Sequence, residues 1–491
     1  MEGIDCEEQG SCKISMIEPA TATWFAITAI FAWPLVAAAL YLAKPPVEAT
    51  LWTILGGLLL LPATFVLKIP MIPGLDKTSV PNLCAFVAYL SLAIPSSRKL
   101  SELRGAGILA ALYVLGPALT SAFNNDAILV GTRLLPGVGL YDGVSALLSQ
   151  LIILLPFFIG RRLLQGPSDT EAILRVLAIA GLLYSIPVLV EVRMSPQLSN
   201  WIYGFFPSGM ASEARYGGFR PVVFMANGLA AAFFMATSFL AATALWRTRT
   251  AITPVPPAAL SGFLTVIIIF CKSAGALTYT VLGGLMVRLM TPKTQLRVAV
   301  FLVSIGLFYP ALRVTDLFPD RAVLEVASVF SYDRADSLRF RFDQENHLLD
   351  RAMQRPVLGW GRYGRSRVYD DESGSDTSFT DGAWIITLGQ FGLLGFLAQF
   401  GLLALPVFRA WSAFDHAKSE RDRIYLAALA LIVALTFVEQ LPNSSVSSWS
   451  WLLAGALLGR AEYLKATAQR ERKLKKSNGA AVAGLRPSGG Q

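Results

Sequence analysis

Residues 21–43 run for twenty-three positions without a charged side chain. Stretches of this kind recur along the chain. Each of about 18 residues or more is long enough to cross a hydrocarbon layer about 30 Å thick. This recurrence restricts the fold more than any other feature. In lipid the backbone N–H and C=O groups find no water, so a span must satisfy them internally, as a helix does. Composition agrees: 54% of the 491 residues are hydrophobic and 15% are charged, against about 25% charged in an ordinary soluble chain. The expected fold is an all-α polytopic transmembrane bundle.

Candidate spans are 21–43, 49–68, 79–95, 104–122, 143–160, 171–192, 220–246, 253–271, 273–290, 295–312, 382–407, 422–440 and 446–463, which makes thirteen. The narrowest division falls at Cys271-Lys272-Ser273. Orientation follows from the excess of Lys and Arg on cytoplasmic loops. With the basic C-terminal end inside, alternation places 23 basic residues on the inner side and eight in the short outer segments. The N-terminus then lies outside, which suits the acidic MEGIDCEEQGS. The chain divides into an extracytoplasmic segment 1–20, ten spans over 21–311, a long extracytoplasmic loop 312–381, three spans over 382–463, and a basic cytoplasmic tail 464–491. The last part of that tail, 477–491, has the composition of a disordered segment. No cleavable signal peptide is expected, because the residues before the first span are acidic rather than basic.

The net charge of +9 gathers partly in Arg460–Lys476, beside the last span. That is a topology anchor on an anionic leaflet rather than a nucleic-acid surface. Cys84 and Cys271 belong in or beside spans as packing residues. Cys6 and Cys12 flank EEQGS, and an oxidising outer compartment would allow them to pair. The two histidines, His347 and His416, fall on opposite sides, and no His/Cys/carboxylate cluster argues for zinc. No P-loop or Gly-rich nucleotide fingerprint is present.

The loop 312–381 holds ten Arg, no Lys and thirteen Asp or Glu. Residues 335–355 read as an amphipathic helix ended by Pro356. Asp343, His347, Arg351 and Arg355 recur every four residues and form one stripe, with Phe342, Leu349 and Met353 on the other side. A solvated face of ion pairs explains the stripe, and so does an anion-binding face, since guanidinium forks match phosphate. Pro356–Arg365 carries three glycines, with Trp360 and Tyr363 beside Arg362 and Arg365, and suits either a sugar or pyrophosphate surface or an interfacial belt. The run Asp370–Asp376 lacks the full spacing of a calcium loop. Asp381, at the head of the next span, is a helix cap or a general base. Glu439, at the outer end of the twelfth span, is a second carboxylate of that kind. Arg215, Arg220 and Lys272 belong to the same outer face.

Four of these features together resemble the bacterial O-antigen polymerase and O-antigen ligase superfamily: Arg215–Pro221 with Asn227–Ala230 entering a span, the Cys271–Ala276 turn, Arg351–Gly361 in the loop, and Asp381 with Gly392 opening a glycine-rich span start. The likeness covers about 140–460. Two positions depart from it. The superfamily often has His where this chain has Asp381, and the basic residue of the turn is shifted to Lys272. A histidine-dependent mechanism therefore does not carry over, and the span count exceeds the ligases' by one. The resemblance implies a membrane glycosyltransferase of GT-C-like type in the bacterial inner membrane. It would polymerise polyprenyl-pyrophosphate-linked repeat units into a surface or exo-polysaccharide, without a cofactor. Its partners would be the lipid-linked oligosaccharide, membrane lipids and other polysaccharide-export proteins, with no nucleic acid. Arg215, Arg220, Lys272, His347, Arg351, Arg355, Trp360 and Arg362 would hold pyrophosphate or glycan, and Asp381 or Glu439 would act on the acceptor. A ligase acting on lipid A core, a flippase for lipid-linked sugars and an assembly scaffold remain as alternatives.

Overall fold

The computed structural model describes residues 24–68, 73–92, 104–215, 217–252, 255–330, 332–379 and 381–484. Cys6 and Cys12, with their expected pairing, lie outside the described residues, as do Tyr216 and Thr380. Sixteen α-helices follow in order: α1 (Trp24–Ala43), α2 (Pro46–Leu60), α3 (Ser79–Ser91), α4 (Arg104–Ala122), α5 (Leu140–Leu163), α6 (Pro167–Met194), α7 (Leu198–Tyr203), α8 (Gly228–Arg247), α9 (Pro257–Phe270), α10 (Ala274–Leu289), α11 (Pro292–Val314), α12 (Asp320–Phe330), α13 (Tyr332–Met353), α14 (Ala383–Ala413), α15 (Glu420–Glu439) and α16 (Ser448–Gly484). Two small antiparallel hairpins accompany them: β1 (Ile128–Val130) with β2 (Arg133–Leu135), and β3 (Ala214–Arg215) with β4 (Gly218–Phe219).

A helix stands in each of the thirteen segments expected as spans; α7, α12 and α13 are the other three. By length and composition, α1, α4, α5, α6, α8, α11 and α14 are able to cross a membrane, while α2, α3, α9 and α10 are apolar but shorter. The chain is a helical membrane protein.

The core forms around α15. Sixteen of its twenty residues are buried, as expected of a helix that is apolar on every side. α16 lies against α5 at backbone distance. A Cβ on Gly455 would strike the Phe157 carbonyl, one on Gly459 the Arg161 carbonyl, and one on Gly160 the Leu452 carbonyl. Small residues four apart allow this approach, the usual device for packing helices in lipid.

The two ends of the bundle differ. At the end bearing the α16 extension (the tail face), Arg161 meets Glu462 at 2.9 Å and Arg460 meets Asp422 at 2.6 Å, with every partner at most 11% exposed. Arg460 also donates to the Gln165 carbonyl. At the opposite end, which carries the long loop (the loop face), the chain is polar and irregular.

Three expectations are corrected. The seventh span was expected from residue 220, but α8 starts at Gly228. Pro221 lacks an N–H, Val223 has φ +55°, and the Val222 and Val223 N–H groups donate at 2.7 Å to the Glu191 carboxylate of α6. Asn227 Oδ1 then caps α8 by accepting from Ala230 N. The loop holds two helices rather than one: α13 covers most of 335–355, and α12 precedes it. The last helix runs through Gly484, into a stretch expected to be disordered.

α14 is broken. Gly392 sits at φ 65°, ψ −165°, a region open essentially only to glycine. The gap is filled by residues 356–361. Leu393 N donates to the Pro356 carbonyl at 2.7 Å and Leu394 N to the Val357 carbonyl at 3.2 Å. In return Trp360 N and Gly361 N donate to the carbonyls of Gly389 and Gln390, each at 2.9 Å. This strap supplies the partners that the broken helix lost, as the lipid environment demands.

Candidate functional site

The expected site residues fall into three groups on the loop face. The first surrounds a cavity of about 120 Å³, lined by Tyr309, Arg341, Gln344, Glu345 and Asp381 among apolar neighbours. Of the two readings of Asp381, helix cap or general base, the structure does not support the cap. The cap position belongs to Gly382 instead, and no side chain caps it. Asp381 points to α13, where Arg341 holds its carboxylate at 3.2 Å. Burial pushes the Asp381 carboxyl above the ordinary range, and Arg341 works against that rise.

Backbone pairing brings Glu439 to the same corner. The Ala383 N–H reaches the carbonyls of Gln440 and Asn443, joining the start of α14 to the end of α15. Glu439 is buried, accepts from Asn443 Nδ2 at 2.7 Å, lies beside Tyr279 of α10 and feels the charge of Arg341. Arg341 thus pairs directly with Asp381 and lies near enough to Glu439 for its charge to be felt there.

Arg313, near the end of α11, fixes the roof of this cavity. It donates to the Phe342 carbonyl at 3.1 Å and to Asn346 Oδ1 at 2.6 Å, with its Nε 3.7 Å from Glu345. Glu345 also accepts from the Tyr309 hydroxyl and the Trp384 indole. Burial raises the Glu345 carboxyl, and these donors oppose the rise. Arg341, Arg313 and Glu345 were not singled out in the sequence. The pointer to them was the burial of Phe342 and Leu349, which turns the neighbouring positions 341 and 345 toward the bundle.

The second group gathers Arg351, Arg355, Trp360 and Arg365. Both Arg351 and Arg355 stack on the Trp360 ring, at 3.5 and 4.2 Å. Trp360 Nε1 donates to the Arg351 carbonyl. Arg355 pairs with Asp126 at 2.8 Å and with Asn124. Arg365 is fully buried, donating to the carbonyls of Trp360, Asp126 and Pro136 and meeting Asp126 at 3.2 Å. Hydrogen bonding from Arg355 depresses the Asp126 carboxyl. Trp360 is thus no open sugar platform, because two guanidinium groups cover it. The group is a staple that holds the strap on the α4–α5 connection. Arg362 is partly exposed, its guanidinium 5.8 Å from the Tyr363 ring, and His347 is exposed on α13. The acidic run folds as a turn around Asp370, whose Oδ1 accepts from Ser373 N at 2.8 Å.

The third group stands at the β3–β4 hairpin. Arg220 lies 4.0 Å from Glu213, and Glu213 accepts from Gly228 N at the head of α8. Lys272 Nζ donates to the Arg215 carbonyl at 3.2 Å. Lys272 has φ +51°, which makes the sharp turn between α9 and α10. Tyr279, seven residues below it on α10, links this group to Glu439 over about 10 Å of helix.

Arg341 and Arg351 are ten residues apart on α13, about 15 Å along the axis. One reacting bond cannot touch both, so the expected residues do not form a single site. Glu439 lies beside Tyr279 of α10 and within the field of Arg341, while the second group stands apart. No protein-family model matches the chain, and no curated protein is detectably similar to it.

Proposed function

We propose that the chain is a membrane glycosyltransferase that moves a glycan from a polyprenyl pyrophosphate to an acceptor sugar hydroxyl. The thirteen helices of the expected spans then all lie within the bacterial inner membrane, the shorter ones with their flanking residues, and the loop face looks outward. The observation that carries this reading is the loop-face cavity in which Arg341 holds the Asp381 carboxylate at 3.2 Å, with Glu439 buried close by at the end of α15. Asp381, partly buried and raised, is suited to take a proton from an acceptor hydroxyl. That oxygen attacks the anomeric carbon, the bond to the pyrophosphate oxygen breaks, and the lipid pyrophosphate leaves with the electron pair. Arg341 is the cation at this cavity able to offset the charge that gathers on the leaving group, and Arg220 and Lys272 add positive charge elsewhere on the same face. The staple arginines support the strap.

Polymerisation of repeat units is favoured, on the resemblance of the Arg215–Pro221, Cys271–Ala276 and Asp381–Gly392 segments. Transport fits less well. Alternating-access carriers place their charged groups near mid-membrane on broken helices, whereas the groups described above gather at the loop face, and the break in α14 has its backbone groups paired by the strap.

The test is glycan length on gels from a deletion strain complemented with wild type, Asp381→Asn, Glu439→Gln or Arg341→Ala, at matched membrane levels. A polymerase requires single repeat units on the acceptor in the deletion, restored to long chains by wild type only. Long chains retained on the lipid carrier indicate a ligase, and lipid-linked units trapped on the cytoplasmic side indicate a flippase. Normal chains from all three variants would remove this cavity as the site.

A further inference from the structure

Only five residues separate α11 from α12. They fold back tightly: the N–H groups of Leu317 and Phe318 both donate to the Leu312 carbonyl, at 3.0 and 3.1 Å, with Asp316 at φ +52°. The Phe318 ring packs on Tyr309 and Phe342. α12 therefore begins where α11 ends and has no length of chain with which to leave that level.

α11 carries an exposed apolar stripe, Phe301, Ile305 and Phe308, at the spacing of one helix face. On a helix able to span the membrane, that face meets lipid. Leu317, 71% exposed, continues it past the end of α11.

α12 itself is divided. Arg321 and Glu325 lie on one side, and Ala322, Val326 and Val329 on an adjoining side. Val323, Leu324 and Ala327 are partly buried, and α13 is the helix that α12 chiefly packs against. Half of the apolar arc is thus left over: Val326 is 62% and Val329 83% exposed, with Tyr332 beside them at 82%. A bare apolar face beside a charged one is unfavourable in water and favoured where acyl chains meet headgroups.

We propose that α12 is an interfacial helix, seated in the leaflet at the loop face with Val326 and Val329 in the acyl boundary and Arg321 and Glu325 at the headgroups. The occupant of the bare face is lipid, because the face continues the lipid-facing stripe of α11 and lies within five residues of it. The assignment is independent of the transferase reading. It gives the cavity a roof that rests on the membrane, since α12 supports α13 and α13 carries Arg341 and Glu345.

The test uses Val329→Cys and Glu325→Cys, each labelled with an environment-sensitive fluorophore in lipid nanodiscs, with the unsubstituted protein giving the background from native cysteines. Both side chains are exposed, so labelling does not threaten folding. The Val329 label should be quenched several-fold more by nitroxide-bearing lipid than by aqueous iodide, and the Glu325 label should show the reverse preference. Iodide quenching at Val329 without lipid quenching would place α12 in water and overturn the proposal. Protection from both quenchers would mean that protein covers this face, a second copy or another chain, and would overturn it equally.

Discussion

If Asp381 is the base proposed above, Arg341 is the residue that sets the pH at which it works. Burial raises the Asp381 carboxyl and Arg341 lowers it. A base works only when deprotonated, so activity should fall as pH drops through a value above the usual carboxylate range. Arg341→Ala removes the opposing charge, raises Asp381 further and should move the acid limb of the rate profile to higher pH. Arg341→Lys should restore part of the wild-type position. Membrane vesicles supplied with lipid-linked substrate across a pH series would show it, and an unmoved limb would dissociate Asp381 from the proton step. Asp381 was legible in the sequence as a carboxylate heading a span. Its partner was not, because the four-residue stripe drew the eye to Asp343, His347, Arg351 and Arg355. Asp343 and His347 are exposed, and the two arginines close over Trp360. A stripe of charges identifies one face of a helix, but which face meets the protein is decided by the apolar residues opposite.

At the scale of elements, the break in α14 is the feature most exposed to a single substitution. Gly392→Ala would force a side chain into a glycine-only conformation, costing on the order of 1–3 kcal/mol. Its Cβ would also collide with the Val357 carbonyl. A marked fall in Tm and in monodisperse yield in detergent is expected. Gly262→Ala in α9, where a Cβ meets nothing within 4 Å, should be neutral or slightly stabilising. Equal behaviour of the two variants would contradict the strap. Both glycine-rich stretches were visible in the sequence, 356–365 and the span start at 392–395. Their pairing was not, because hydrogen bonds between backbones leave no mark on side-chain identity. α12 was missed for another reason: eleven residues in a charge-rich interval are dominated by composition, and its apolar arc appears only once the residues are laid on a helix.

For the molecule as a whole, the tail face is the end held by buried ion pairs. Arg460 is 2% exposed and Asp422 8%, so breaking their contact strands a charge in a dry setting. Asp422→Leu should cost about 3–5 kcal/mol, read as a large fall in Tm. Adding Arg460→Met should recover most of that loss, because the expense lies in the orphaned charge and not in the missing attraction. Failure of the second substitution to rescue would assign the loss to packing. That a helix stands in each apolar run, and in what order, was legible in the sequence, because a segment made for lipid is apolar along its length. The buried ion pairs were not, because Arg161, Asp422, Arg460 and Glu462 read as ordinary flanking charges until the helices are assembled.

The strap comes before the helix that it repairs. Residues 356–361 leave the ribosome ahead of α14, so in the outward orientation proposed for the loop face the long loop would have to be carried across the membrane before the second half of that helix could be seated. Four backbone groups, the N–H of Leu393 and Leu394 and the C=O of Gly389 and Gln390, would otherwise face lipid unpaired. The chain's order thus sets a sequence of assembly in which translocation of the loop is a precondition for seating α14. A permuted chain that synthesised α14 first would expose the gap to the bilayer, and to the cell's quality-control proteases, for as long as its patch was still being made.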